Sequence, residues 1–192
     1  MIHMIGPRSR KPNDQIKVVN TTSRSQSDWQ RGLSPFYLGP VKLYGDFVAQ
    51  NMENGWQFAK VYAQHVAEDG LPHECYFQWA RKGWNDTTAH RYPMGKGAKP
   101  EYSWWDGKKL SYVEARKAIY APLYAGAVEH TDAFKQLKAL YEAEKDICLW
   151  DFDAYDHHAL GMSYEDVLNC ETRKMGHCFV LGMLLENKRV WL

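Results

Sequence analysis

Glu53, Gln57 and Lys60 are the residues whose types and spacing most readily suggest chemistry in this chain. They lie four and three positions apart, which places them on one side of a helix if the segment is helical. Glu53 and Lys60 would then stand two turns apart, about 10 Å along the axis at ~1.5 Å per residue. That is too far for an easy direct ion pair, yet two long side chains could reach one ligand from either end. The same spacing also describes a solvated polar face, so the surrounding elements and motifs must decide.

The positioning element is expected to be a helix opened by Asn51, a favourable N-cap, with Glu53 in the first turn where the macrodipole favours a carboxylate. Met52, Trp56, Ala59, Ala63 and Val66 recur at helical spacing and predict one buried face. Upstream, Ile16 to Val19 is a short β-type run. Residues 36–47, broken by Gly39-Pro40 and Gly45-Asp46, read as a hairpin or two short strands. Residues 70–109 read as irregular, and a loop of that length in a compact domain is usually functional or hides short elements. Ser111-x-x-Glu114 is a capping box opening a second helix, with a kink or break expected near Pro122. Thr131 caps a third helix carrying Phe134, Leu137, Leu140 and Tyr141, and Ser163-x-x-Asp166 starts a short fourth. Residues 175–186 form a last, largely apolar helix. The expected class is α+β, a predominantly helical single domain with a small β-sheet. Residues 1–14 are expected to be a flexible leader and 15–192 the catalytic domain.

Composition narrows the partners. Lys and Arg total 24 against 23 Asp and Glu, a net charge of +1, so no global field draws in DNA or an anionic membrane. No apolar run approaches the ~20 residues of a membrane span. Cys75, Cys148, Cys170 and Cys178 are scattered without Cys-x-x-Cys spacing, which suits reduced thiols and a cytoplasmic setting. Asp151, Asp153, Asp156, His157 and His158 crowd together and could bind a divalent cation. They lack a zinc-type spacing, and neither a metal nor an organic cofactor is expected.

The motif order across residues 30–187 resembles the NADAR (YbiA-like) family. Leu33-Ser34-Pro35-Phe36-Tyr37, a stretch containing Gly45, then Glu53-x-x-Trp56-Gln57-x-x-Lys60 is similar to the family's opening signature. Met94-Gly95-Lys96-Gly97-Ala98-Lys99-Pro100 resembles its Met-Gly-rich-basic-Pro loop, and Trp104 and Trp105 follow where the family has a functional tryptophan. Trp150-Asp151-Phe152-Asp153-Ala154-Tyr155 resembles its acidic-Ala-Tyr segment. Gly176, followed by Leu181-Gly182-Met183-Leu184-Leu185, resembles its closing helix. Two positions depart: Pro35 replaces an Asn, and the Cys178-Phe179 neighbourhood replaces another. The Asn-Met-Glu-Asn-x-Trp-Gln helix is also similar to that of short proteins from tailed phages.

The resemblance implies an NADAR/YbiA-like fold and an N-glycosidase. Such enzymes act on ADP-ribosylated nucleic acid, an ADP-ribose-containing nucleotide, or riboflavin-pathway intermediates. Breaking an anomeric carbon–nitrogen bond develops oxocarbenium character on the sugar and charge on the leaving nitrogen. Glu53 is then the expected acid/base carboxylate and Lys60 the nucleophile or electrostatic partner, with Asp153 assisting. The implied ligand contacts are Ser34, Phe36, Trp56, Gln57, Met94, Gly95, Lys96, Lys99, Trp104, Trp105, Tyr155 and Gly176. Trp104 and Trp105 would stack a base, and Arg91, Lys96 and Lys99 around Gly95 and Gly97 would cradle phosphate. A non-catalytic binder of the same nucleotides is the alternative. A phage setting favours reversal of a host defence that ADP-ribosylates DNA.

Overall fold

A computed structural model describes residues 1–192. Strands β1 (Ile2–Ile5) and β2 (Lys17–Asn20) lead into a single helical turn, α1 (Asp28–Arg31), and a tight hairpin, β3 (Val41–Lys42) with β4 (Val48–Ala49). Helix α2 (Met52–Gln57) and strand β5 (Lys60–Val61) follow, then α3 (Glu74–Asn85) and the hairpin β6 (Tyr102–Trp105) and β7 (Lys108–Leu110). A continuous helical run comprises α4 (Tyr112–Ala115), a wide π turn (Arg116–Tyr120) and α5 (Ala121–Val128). Helix α6 (Asp132–Glu144), strand β8 (Ile147–Trp150), α7 (Tyr164–Asn169) and α8 (His177–Leu185) complete the chain.

The central strand is β8, flanked in parallel by β1 and β2. Ile147, Cys148 and Leu149 are all fully buried, as expected for a strand covered on both faces. Residues 1–14 are therefore not simply a flexible leader. Ile2 and Met4 are core residues, and β1 pairs Ile2 with Ile147 through Ile5 with Trp150. The polar run from Arg8 to Asp14 obscures this four-residue strand in the sequence. Two small antiparallel sheets, β3-β4 and β5-β6-β7, stand apart from the parallel one. Three separate sheets make this a mixed α+β domain rather than a mainly helical one with a single sheet. One cluster of 38 buried residues runs from Ile2 to Leu184, so a single core unites both ends of the chain.

The helix expected through Val66 stops at Gln57. Phe58 is its C-cap, and the chain extends so that Lys60 pairs with Ser103 and Val61 with Tyr102. Phe58 packs where α3 presents Gly83: a Cβ at Gly83 would lie 2.0 Å from the Phe58 ring. Residues 70–109 hide α3, β6 and most of β7 rather than forming one long loop. The helical run after Ser111 does not break at Pro122. The π turn precedes the proline, which sits in the first turn of α5 where its missing donor is tolerated. No helix is long and apolar enough to cross a membrane.

Candidate active site

Strands β2 and β8 run side by side and end together. The loops that leave them, Thr22-Ser23-Arg24 and Asp151-Phe152-Asp153, line a cavity of about 960 Å³. Open sheets with parallel strands bind ligands at this carboxyl edge, where the departing loops diverge. Helix α2, strand β5, the π turn, residues 91–103 and the start of α8 close the remaining walls. Small-molecule sites occupy roughly 300–1,000 Å³, so this cavity is of nucleotide size or larger.

One wall is built on α2. The Asn51 side chain accepts from Asn54 N at 2.8 Å, capping the helix as its residue type predicts. Asn54 in turn donates to the carbonyls of Asp86 and Thr88 and accepts from His90 N at 2.9 Å. These bonds fix α2 against the segment that carries Arg91. Glu53 is 7% exposed and faces the cavity. Gln57 Nε2 donates to Glu53 Oε1 at 2.9 Å, and Lys60 Nζ donates to Gln57 Oε1 at 2.7 Å. Glu53 and Lys60 are thus joined through Gln57, although Lys60 stands on a strand. The lysine ammonium also lies 4.8 Å from the Trp56 ring centroid. Burial raises the Glu53 carboxyl above its ordinary range and lowers Lys60 to about 8. Both effects favour the uncharged forms, so proton transfer at this wall costs less than it would between ordinary side chains.

The same lining holds a closed ion pair. His177 Nδ1 lies 3.0 Å from Asp151 Oδ2, and His177 Nε2 lies 2.8 Å from the Thr21 carbonyl. Both partners are acceptors, so both ring nitrogens carry hydrogen and the ring is an imidazolium. The Asp151 carboxylate also accepts from the backbone N–H groups of Asp153 at 3.3 Å and Cys178 at 3.4 Å. Burial alone would raise the Asp151 pKa. His177 and these donors outweigh it and hold the carboxyl at about 2. His177 shows the converse: burial lowers its pKa, but Asp151 and the Thr21 carbonyl leave it raised overall. Gly176 must lack a side chain here, since a Cβ would sit 2.3 Å from Asp151 Oδ2.

Asp153 lies in a more open environment. Arg91 Nη2 donates to its Oδ2 at 3.1 Å, and Lys174 Nζ is 3.8 Å from its Oδ1. This carboxylate is shared by two cations and lines the same cavity as Glu53. Arg116, which also lines the cavity, is 1% exposed and donates to the carbonyls of Val167, Cys170 and Arg173. It ties the segment carrying Glu171, Lys174 and Met175 to the π turn.

Of the ligand contacts named from the sequence, Ser34, Phe36, Trp56, Gln57, Gly95, Lys99 and Gly176 line the cavity. Met94 and Lys96 do not, and the glycine-rich loop contributes through Gly95, Gly97 and Lys99 instead. Trp104 and Trp105 are also outside the lining. Trp105 packs edge-on against Tyr44 and Trp104 against Phe77, while Ser103 between them reaches the cavity. Tyr155 packs on Phe179 and lines a separate, smaller cavity beside residues 7–9. His157 is buried and stacks on Tyr164, and no three His, Cys, Asp or Glu side chains converge in a metal-like group. Sequence reasoning did not pick out Arg24, Arg116, Tyr120, Phe152, Lys174 or His177 as site residues. It saw Asp151 only as a possible metal ligand. Only the position of Asp151 directly after an apolar β run offered a local signal.

The molecule is thus an α+β domain with one large polar cavity at the carboxyl edge of a parallel sheet. The chain belongs to the family described as a family of unknown function (DUF6939), whose model matches residues 8–160. That match includes Glu53, Lys60, Arg91 and Asp153 and ends before Lys174 and His177. No curated protein and no solved structure matches the chain.

Proposed function

We propose that the cavity is the active site of an N-glycosidase that hydrolyses an ADP-ribose-type bond. The observation that carries this reading is the hydrogen-bonded chain Glu53–Gln57–Lys60 lining a nucleotide-sized cavity. Glu53, with its raised proton affinity, donates a proton to the leaving nitrogen as the bond to the anomeric carbon breaks. Water then forms the new carbon–oxygen bond and returns a proton to the carboxylate. Gln57 orients the carboxyl and keeps Lys60 close to the reacting sugar. With its pKa lowered to about 8, Lys60 is partly neutral near neutral pH and is available as an amine nucleophile. The aromatic faces in the lining, among them Phe36, Tyr62 and Tyr120, take the stacking role first assigned to Trp104 and Trp105.

The motif resemblance to NADAR proteins favours ADP-ribose on modified guanine in DNA as the substrate, and with it reversal of a host ADP-ribosylation defence. One feature favours the second reading, a binder without turnover. Pro35 lines the cavity where the resembling family keeps an Asn side chain, and only its carbonyl is engaged, accepting from Glu53 N at 3.1 Å.

The test is incubation with ADP-ribosylated DNA, ADP-ribosylated nucleosides and riboflavin-pathway N-glycosides, with products read by mass spectrometry. Glu53→Gln keeps an acceptor for Gln57 and should lower turnover by about 10²–10⁴-fold, the usual worth of a positioned acid/base. Its affinity for ADP-ribose should stay within a few-fold. Full turnover in that variant would sink the mechanism. Wild-type binding of ADP-ribose with no product from any substrate would establish the binder instead.

A further inference from the structure

We propose that Arg24, Arg91 and Lys174 form a diphosphate subsite, and that Asp153 fills it as a built-in counter-anion until a ligand displaces it. The three cations come from three segments: the loop after β2, the segment anchored to α2, and the approach to α8. Two of them share one ring. The guanidinium carbons of Arg24 and Arg91 each lie 5.2 Å from the Phe152 centroid. Arg91 and Lys174 then share the next carboxylate along the chain, Asp153. Three positive charges against one negative leave an excess of about +2 at this end of the cavity. The other lining carboxylates without an assigned partner, Glu101 and Glu171, have no cation within 4 Å.

This cluster differs from the Asp151–His177 pair in its openness. The His177 and Asp151 side chains are 8% and 6% exposed, whereas Arg91, Asp153 and Lys174 are 32%, 31% and 66% exposed. Ion pairs as open as these contribute only about 0–1 kcal/mol, so exchanging the carboxylate costs little. A diphosphate carries more charge than Asp153 and presents several oxygens to the planar guanidinium donors. The cluster is also held in register with the reaction centre. His90, next to Arg91, donates its N–H to Asn54, which is next to Glu53. The orientation that follows, with the sugar toward Glu53 and the diphosphate toward Phe152, rests on the N-glycosidase reading. The anion subsite itself does not.

Calorimetric titration of the full chain with inorganic pyrophosphate, ADP and adenosine tests the subsite without any hydrolysis. Pyrophosphate and ADP should bind, with ADP at least tenfold tighter than adenosine. Asp153→Asn should tighten pyrophosphate binding about fivefold or more, which is what a unit charge ~4 Å away is worth in water. Arg91→Gln and Arg24→Gln should each weaken it, with circular dichroism unchanged. Glu171→Gln, which removes a lining carboxylate outside the cluster, should change it by less than twofold. Weaker or equal binding in Asp153→Asn, or an equal gain in Glu171→Gln, would overturn the proposal. Because pyrophosphate has no glycosidic bond, a failure of its binding is distinct from a failure of the Glu53 assay.

Discussion

Asp151→Asn should destabilise the fold strongly while leaving its shape nearly unchanged, because it removes a buried charge and spares the volume. Asp151 is 4% exposed and is met by the His177 ring and two backbone N–H groups. Breaking a buried pair by removing one partner costs about 3–5 kcal/mol, since the other charge is stranded. The carboxyl pKa gives an independent figure. Held at about 2 against an ordinary 3.8, it contributes about 2 kcal/mol at about 1.36 kcal/mol per pH unit. A loss of about 3 kcal/mol is consistent with both. At about 2–4 °C per kcal/mol for a domain of this size, it lowers Tm by roughly 6–12 °C. The pH dependence identifies the cause. The depressed Asp151 pKa gives stability that is complete above about 3.8 and lost as pH falls toward 2. The raised His177 pKa gives stability that is complete below 6.5 and lost as pH rises through the folded value. In Asp151→Asn the ring has no counter-charge and burial favours its neutral form, so the alkaline limb and the carboxylate limb should disappear, and stability should instead fall as pH drops below 6.5, where the unfolded ring protonates. Urea and thermal unfolding between pH 3 and 9 would measure this. A Tm within about 2 °C of wild type, or an unchanged pH profile, would refute the imidazolium assignment.

Four further outcomes follow from the same geometry. Deleting residues 1–5 should abolish cooperative unfolding by circular dichroism, because it removes a strand of the parallel sheet together with core residues Ile2 and Met4. With Glu53 protonated and Lys60 neutral in the active form, kcat should fall as pH rises past about 8, and Lys60→Arg, which cannot supply a neutral amine, should lose at least 10²-fold in kcat. Phe36→Ala should weaken ADP-ribose binding by about tenfold, within the ~1–3 kcal/mol of a lost stacking face. Trp104→Ala and Trp105→Ala, whose rings pack on Phe77 and Tyr44, should instead lower Tm and leave affinity within twofold.

What the sequence revealed was local. Asn51, Ser111, Thr131 and Ser163 each cap the helix they were expected to cap, because a cap is decided by a side chain and a backbone N–H three residues on. The apolar helix near the C-terminus was equally plain, since α8 is buried on all sides but its last residue. Strand β1 was hidden for the opposite reason. Four residues carry little periodicity, and their partner lies about 145 positions away. The tryptophan pair misled because aromatic residues beside a glycine-rich loop look alike whether they stack on a ligand or on Tyr44 and Phe77.

The Glu53–Lys60 pair shows how two side chains can be brought together by a different structure from the one their spacing suggests. Helical spacing put both residues on one face, yet the helix ends at Gln57 and Lys60 belongs to a strand paired with Ser103. The link survives because Gln57 is long enough to bond both neighbours: its amide donates to Glu53 and its carbonyl oxygen accepts from Lys60. The chain must turn out of the helix between Gln57 and Lys60, because Ala59 already accepts a hydrogen bond from Trp104 N at 2.8 Å. A lysine on a continued helix would track up the axis, away from the carboxylate. On the strand it returns to the cavity and is partly buried there, and this desolvation lowers its pKa to about 8. The early end of α2 therefore shapes this wall of the cavity, since it brings the amine and the carboxyl within reach of one amide.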